Sequence, residues 1–242
     1  MEGHPHASRR ARRFRRLALL LTAVLLTAAA GPAAAGPAPG APPGGGPGRP
    51  RVVAERHTGD RITDLTLYSP APGGPAGVRL LTPDGWRDRA RGGRWPALYL
   101  LPGGEGDHLP WTRDYAIQEL PALRDSLVVM PEMPLYGFSS DWWNHGAGGP
   151  PRVATFPLDE VVPLVEGHYG AGPRRVVAGQ SQGGFGALSY AARRPGMFRA
   201  AAGYSGFVHP LQHPHAVRAG MTHLGLDWLA LWGHPERQPA PA

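Results

Sequence analysis

Five residues about three-quarters of the way along the chain, Gly179-Gln180-Ser181-Gln182-Gly183, set one hydroxyl between two glycines. That pattern suits an acyl-transfer nucleophile, because a serine on a tight strand-to-helix turn holds its Oγ clear of the backbone. Alone it carries little weight. With 35 glycines and 8 serines in 242 residues, chance supplies a G-x-S-x-G in about one such chain in six. Its surroundings say more: the apolar run "VVA" in Arg174–Gly179 precedes it, and "GGFGALSYAARR" follows with good helix formers. The glycines have a steric task where strand and helix nearly touch. Ser181 is therefore the candidate nucleophile.

A serine attacking a carbonyl also needs donors for the oxyanion that forms, and in such a turn the N–H of the next residue, Gln182, is one. The second is expected from "LLPGGEGD" (100–107), a glycine-rich loop after an apolar run, with the backbone of Gly104 as donor. The base and acid are harder to find. In this arrangement an acid and then a histidine follow the serine along the chain, and only 61 residues follow Ser181. His209, His213 and His215 in "HPLQHPH", after the last strand on the same sheet edge as Ser181, read as surface loop, with a replacement base or a metal site as the lesser alternatives. Their prolines break the helical spacing of a metal site, and no carboxylate is adjacent. His145, beside Trp142 and Trp143, reads as a packed surface histidine or as part of a cleft wall. His223, His234, Asp227 and Glu236 carry no assigned role. No metal set and no cofactor-binding pattern is expected.

The elements needed to hold these residues alternate. Strands are expected over 61–69, 77–81, 95–104, 126–132, 174–179 and 198–206, with helical segments in "YAIQEL", in 156–169 and after Ser181. Pro163 implies a kink or a helix start within 156–169. Alternating strands and helices predict a mostly parallel sheet with helices on both faces.

The N-terminus has a different character. "RRARRFRR" is followed by the apolar run Leu17–Ala30 and by Ala33-Ala34-Ala35, the pattern of an export signal over residues 1–35. About 14 apolar residues fall short of the roughly 20 that a spanning helix needs, so no stable membrane insertion is expected. Residues 36–56 begin as a Gly/Pro-rich spacer, and 57–242 read as the catalytic domain. The formal charge of +7 is mostly this leader: residues 1–35 hold six arginines and one acid, leaving 19 arginines against 17 acids elsewhere. Nothing in that balance argues for nucleic acid. The absence of cysteine excludes disulfides and thiolate metal sites without excluding export.

Several segments in order, "WPALYLLPGGEGDHLPWTR", "LVVMPEMPLYGFSSDWW", "RRVVAGQSQGGFGALSYAARRPGMFRAAAGYSG" and "LWGHPER", resemble the esterase D family of α/β-hydrolases. That family includes mycolyltransferases, feruloyl esterases and S-formylglutathione hydrolase. The resemblance runs from about Arg61 to Arg237 and implies an α/β-hydrolase-type sheet. It also implies Ser181 as nucleophile, with the N–H groups of Gly104 and Gln182 as the oxyanion hole. Members often carry Leu-His-Gly where this chain has Leu101-Pro102-Gly103, and Leu-Ser-Met where it has Gln180-Ser181-Gln182. They reach their acid and histidine beyond the segment matched by "LDWLALWGHPER". The acid, the histidine and the last strands are thus expected to be missing from these 242 residues.

The implied activity is that of a secreted serine esterase or acyltransferase working through an acyl-serine on a small-molecule or glycolipid ester, impaired by that loss. The alternative is an inactive exported protein that binds a cell-envelope glycan or acyl chain.

Overall fold

The structure is a computed structural model that describes residues 49–87, 92–104, 106–134 and 137–234. Its centre is a seven-stranded sheet: β1 (Arg51–His57), β2 (Ile62–Ser69), β3 (Gly74–Leu81), β4 (Trp95–Leu101), β5 (Leu127–Pro131), β6 (Ala171–Gln180) and β7 (Ala200–Tyr204), in the order β1-β2-β3-β5-β4-β6-β7. β1, β2, β3 and β5 are joined by antiparallel pairings. The β5–β4, β4–β6 and β6–β7 pairings are parallel. Five strands thus run one way, against β1 and β3. Most of the strands are parallel, in an α/β fold.

Strand chemistry explains the layers. β5, "LVVMP", is buried along its whole length, as a central strand covered on both faces must be. Consecutive residues face opposite sides, so Leu80, Leu101, Val129 and Val177 enter one apolar cluster while Leu81, Leu100, Val128 and Ala178 enter the other. Over the first face lie α2 (Val162–His168) and α3 (Gln182–Arg193), which contribute Val162, Val165, Ala187 and Tyr190. Shorter pieces cover the second face: α1 (Pro110–Arg113) and single 3-10 turns at Ile117–Glu119 and Pro121–Leu123.

Several boundaries differ from expectation. β1 begins at Arg51, inside the 36–56 stretch read as spacer, and pairs with β2 through Val52↔Leu67. "YAIQEL" forms only the 3-10 turn Ile117–Glu119, entered through Ala116 at φ 50°. Residues 156–169 divide into a π-helical turn, Phe156–Val161, and α2, whose second residue is Pro163. The wider turn lets the Val162 amide reach the Pro157 carbonyl, so the chain enters α2 without needing a proline N–H. The last strand is shorter than 198–206 because Phe198 turns inward, edge-on to Tyr99 with ring centroids 6.1 Å apart. After β7 come α4 (Pro214–His223) and α5 (Trp228–Trp232). No described helix is long and apolar enough to cross a membrane. Residues 1–35, most of the spacer and Glu236 lie outside the described residues.

Candidate active site

β4, β6 and β7 run parallel in the registers Leu101↔Gly179 and Gln180↔Tyr204, so their carboxyl ends meet at one edge of the sheet. Loops at such an edge are the usual place for chemistry in α/β sheets. Ser181 stands there, directly between β6 and α3, with φ 53° and ψ −118°. A non-glycine residue at positive φ is strained, and its persistence requires a surrounding structure that holds it. Here the Ser181 amide donates to the Tyr204 carbonyl at 2.8 Å, and the Ser181 carbonyl accepts the Phe185 amide at 3.1 Å. The side chain is exposed.

The flanking glycines are sterically required. A Cβ on Gly183 would lie 2.5 Å from the Pro102 carbonyl oxygen and 2.6 Å from that of Leu101. One on Gly179 would strike the Gly183 carbonyl oxygen. β6, α3 and the end of β4 therefore approach backbone to backbone, which presents Ser181 above the sheet.

The loop after β4 comes alongside. Gly103 is close enough that a Cβ there would sit 3.9 Å from Ser181 Cβ, and Gly104 follows it. The Gly103 carbonyl accepts the Gly106 amide at 3.2 Å and the Gln182 Nε2 at 2.7 Å. The structure thus brings Ser181, Gln182 and the Gly103-Gly104 turn together, the three parts that sequence reasoning singled out.

Two groups of aromatic side chains contact the residues flanking the turn. Tyr115 donates its hydroxyl to Gln180 Oε1 at 2.7 Å and tilts against Trp111, whose Nε1 donates to the Leu101 carbonyl. In the second group Trp232 lies edge-on to both Phe138 and Phe185, at 5.7 and 5.9 Å between centroids, and donates Nε1 to Ser140 Oγ.

The histidines are distributed elsewhere. His145 Nε2 lies 2.7 Å from Asp227 Oδ2, and both side chains are more than half exposed, at 59% and 53%. Asp227 also caps α5 by accepting the Leu229 and Ala230 amides, and the His145 hydrogen bond holds its carboxyl below the usual carboxylate range. His209 and His213 flank a 3-10 turn, with His215 in the first turn of α4 and His223 in its last. Among the described residues, no histidine is hydrogen-bonded to the Ser181 hydroxyl.

Sequence reasoning missed two contacts altogether. His108, in the loop after β4, places Nδ1 3.7 Å from Glu132 Oε2. Glu160 is buried in the π-helical turn and accepts the Ser69 hydroxyl and the Ala71 amide. Neither pair leaves a sequence signal, because the partners come from distant segments. Among the described residues no cluster of histidine and carboxylate groups is placed to hold a metal ion.

Comparison with known proteins gives the family. The family described as "Putative esterase" matches residues 69–240. Esterase Rv1288 and Esterase MT1326, from two strains of Mycobacterium tuberculosis, are each 34% identical over 163 residues, which are 64% of this chain and 34% of theirs. The match thus spans about a third of the length of these curated relatives. The crystal structure of Mycobacterium tuberculosis MPT51 superposes with a TM-score of 0.58 at 28% identity, over 69% of this chain and 60% of that one. FphF, a fluorophosphonate-binding serine hydrolase of Staphylococcus aureus, shares the fold with a TM-score of 0.57 at 18% identity, over 72% and 66%. With sheet order, serine turn and family match in agreement, the chain belongs to the esterase family of α/β-hydrolases, of the esterase D type.

Proposed function

We propose that the protein is an exported serine esterase or acyltransferase in which Ser181 attacks an ester carbonyl. The Ser181 Oγ–acyl bond forms as the alcohol leaves, and water or a sugar hydroxyl then takes the acyl group. The N–H groups of Gly104 and Gln182 receive the oxyanion. The observation that carries this reading is Ser181 itself: exposed, at φ 53°, at the carboxyl end of β6, with the Gly103-Gly104 turn beside it.

Within these 242 residues we propose that turnover is slow. A serine hydroxyl becomes a useful nucleophile only beside a base, and none of the histidine hydrogen bonds found among the described residues reaches Ser181. Backbone donors alone leave roughly 10³–10⁴-fold acceleration over water. The same observation favours a second reading, an inactive envelope protein that holds a glycan or acyl chain against the aromatic side chains beside the turn, Tyr115 and Trp232 among them.

The test is hydrolysis of p-nitrophenyl acetate by the purified chain beside Ser181→Ala, with fluorophosphonate labelling of both. Slow turnover and labelling, both lost in the variant, are expected. Equal rates in the two proteins reject the esterase reading, and tight ester binding without turnover selects the binder. Vigorous turnover abolished by Ser181→Ala would mean that a histidine such as His209 serves as the base.

A further inference from the structure

The loops after β4, β5 and β6 meet on one side chain. Gln182 is 3% exposed, and both ends of its amide are used. Nε2 donates to the Gly103 carbonyl at 2.7 Å, and Oε1 accepts the Phe138 amide at 3.1 Å. The orientation of the amide is fixed by its partners, since a carbonyl can only accept and a backbone N–H can only donate. A third link runs through the main chain: Ser139 Oγ donates to the Gln182 carbonyl at 3.2 Å.

The two loops differ in how much they depend on this amide. Gly103 also accepts from Gly106 N, whereas the Phe138 N–H has no other acceptor among the described residues. Phe138 and Ser139 both sit at positive φ, 50° and 49°, a conformation that persists only where neighbours hold it.

We propose that the Gln182 side chain is a positioning residue. It clasps the Gly103-Gly104 turn to the serine turn so that the Gly104 and Gln182 N–H groups face one oxygen, and it holds Phe138 over the same site. The proposal rests on the esterase reading for its purpose, but the clasp can be measured without turnover. A shorter or apolar side chain would leave the backbone N–H of residue 182 in place while freeing both loops. Displacement of one donor by about an ångström costs roughly a hundredfold in rate.

The experiment compares wild type, Gln182→Met and Gln182→Glu, each as the full chain, by hydrogen exchange and by ester hydrolysis with kcat and KM separated. In Gln182→Met the Phe138 amide, which loses its acceptor, should exchange about tenfold faster, as expected for loss of a buried hydrogen bond, and the Gly106 amide, which keeps the Gly103 carbonyl, should exchange faster by less as its turn loosens. The kcat should fall 10- to 100-fold, with KM nearly unchanged. Gln182→Glu keeps the acceptor for Phe138 but turns an ionised oxygen toward the Gly103 carbonyl. Its kcat relative to wild type should therefore rise as pH falls from 8 to 5, where the buried carboxyl regains a donor proton.

Unchanged exchange at both amides in Gln182→Met overturns the clasp. Faster exchange with unchanged kcat overturns its role in positioning. If wild type and Ser181→Ala hydrolyse the ester equally, the esterase reading fails instead, and exchange together with its pH dependence in Gln182→Glu decides the clasp. Should Gln182→Met not fold, the same comparison on Gln182→Glu at pH 5 and 8 carries the test.

Discussion

The Ser181 amide donates to the Tyr204 carbonyl at 2.8 Å, so the strained serine is tied to the last residue of β7. β7 is an edge strand, with β6 as its one neighbour among the described residues. Its surroundings are apolar and open: Tyr204 is 58% and Val208 61% exposed. An unprotected strand edge of this kind pairs readily with another chain. The purified chain should self-associate with rising concentration, and Tyr204→Lys with Val208→Glu should suppress it. Light scattering that shows a monomer at all concentrations in the wild type would refute this.

Gly183→Ala should cost roughly 3 kcal/mol or leave no folded protein, since the new Cβ meets two carbonyl oxygens at 2.5 and 2.6 Å. Urea denaturation reads this directly. A stable Gly183→Ala protein would mean that α3 and the end of β4 do not approach as described.

Glu160 gives a pH dependence with a defined sign. Burial raises its titration above the ordinary carboxylate value, against the opposing effects of Ser69, the Ala71 amide and Arg152. The folded state therefore holds the proton longer than the unfolded one. Stability from this group is full below the unfolded value and is lost as pH rises through the folded one. Glu160→Gln should be at least as stable as wild type at pH 7, with the difference vanishing near pH 4. Glu160→Ala should lose roughly 2 kcal/mol by orphaning the Ala71 N–H. Thermal unfolding across pH separates the two.

Asp227 should behave in the opposite way. Its carboxyl titrates below the usual value because of His145, so the contact persists at moderately acid pH and is lost only as pH falls through that lowered range. Asp227→Ala should speed exchange of the Leu229 and Ala230 amides while barely changing global stability. Unchanged exchange at both would show that Asp227 does not cap α5.

Reading residues 1–35 as an export signal predicts a mature protein that begins near Gly36, after Ala33-Ala34-Ala35. Mass spectrometry of the culture supernatant measures this, and a cell-bound chain that retains Leu17–Ala30 would reject it.

The serine turn was legible in the sequence because its causes are local. A strand, a turn crowded enough to demand glycine, and a helix lie within about twenty consecutive residues, and continuous apolar runs mark β4, β5 and the end of β6 just as clearly. The same reading drew no strand over β1. The exposed strand "RVVAERH" has little burial pattern of its own and is defined by its partner β2. It also missed the division at Phe156–Val161, where a buried Glu160 bonded to Ser69 packs a wider turn than helical spacing implies.

Sequence alone determined the identity of the turn and the family, since both are written in contiguous residues. Tertiary structure alone decided what surrounds Ser181. Gln182 meets Gly103 across 79 residues, and Tyr115 meets Gln180 across 65. Such pairs depend on which loops the parallel registers of β4, β6 and β7 bring to one edge, and on hydrogen bonds whose partners share no local pattern.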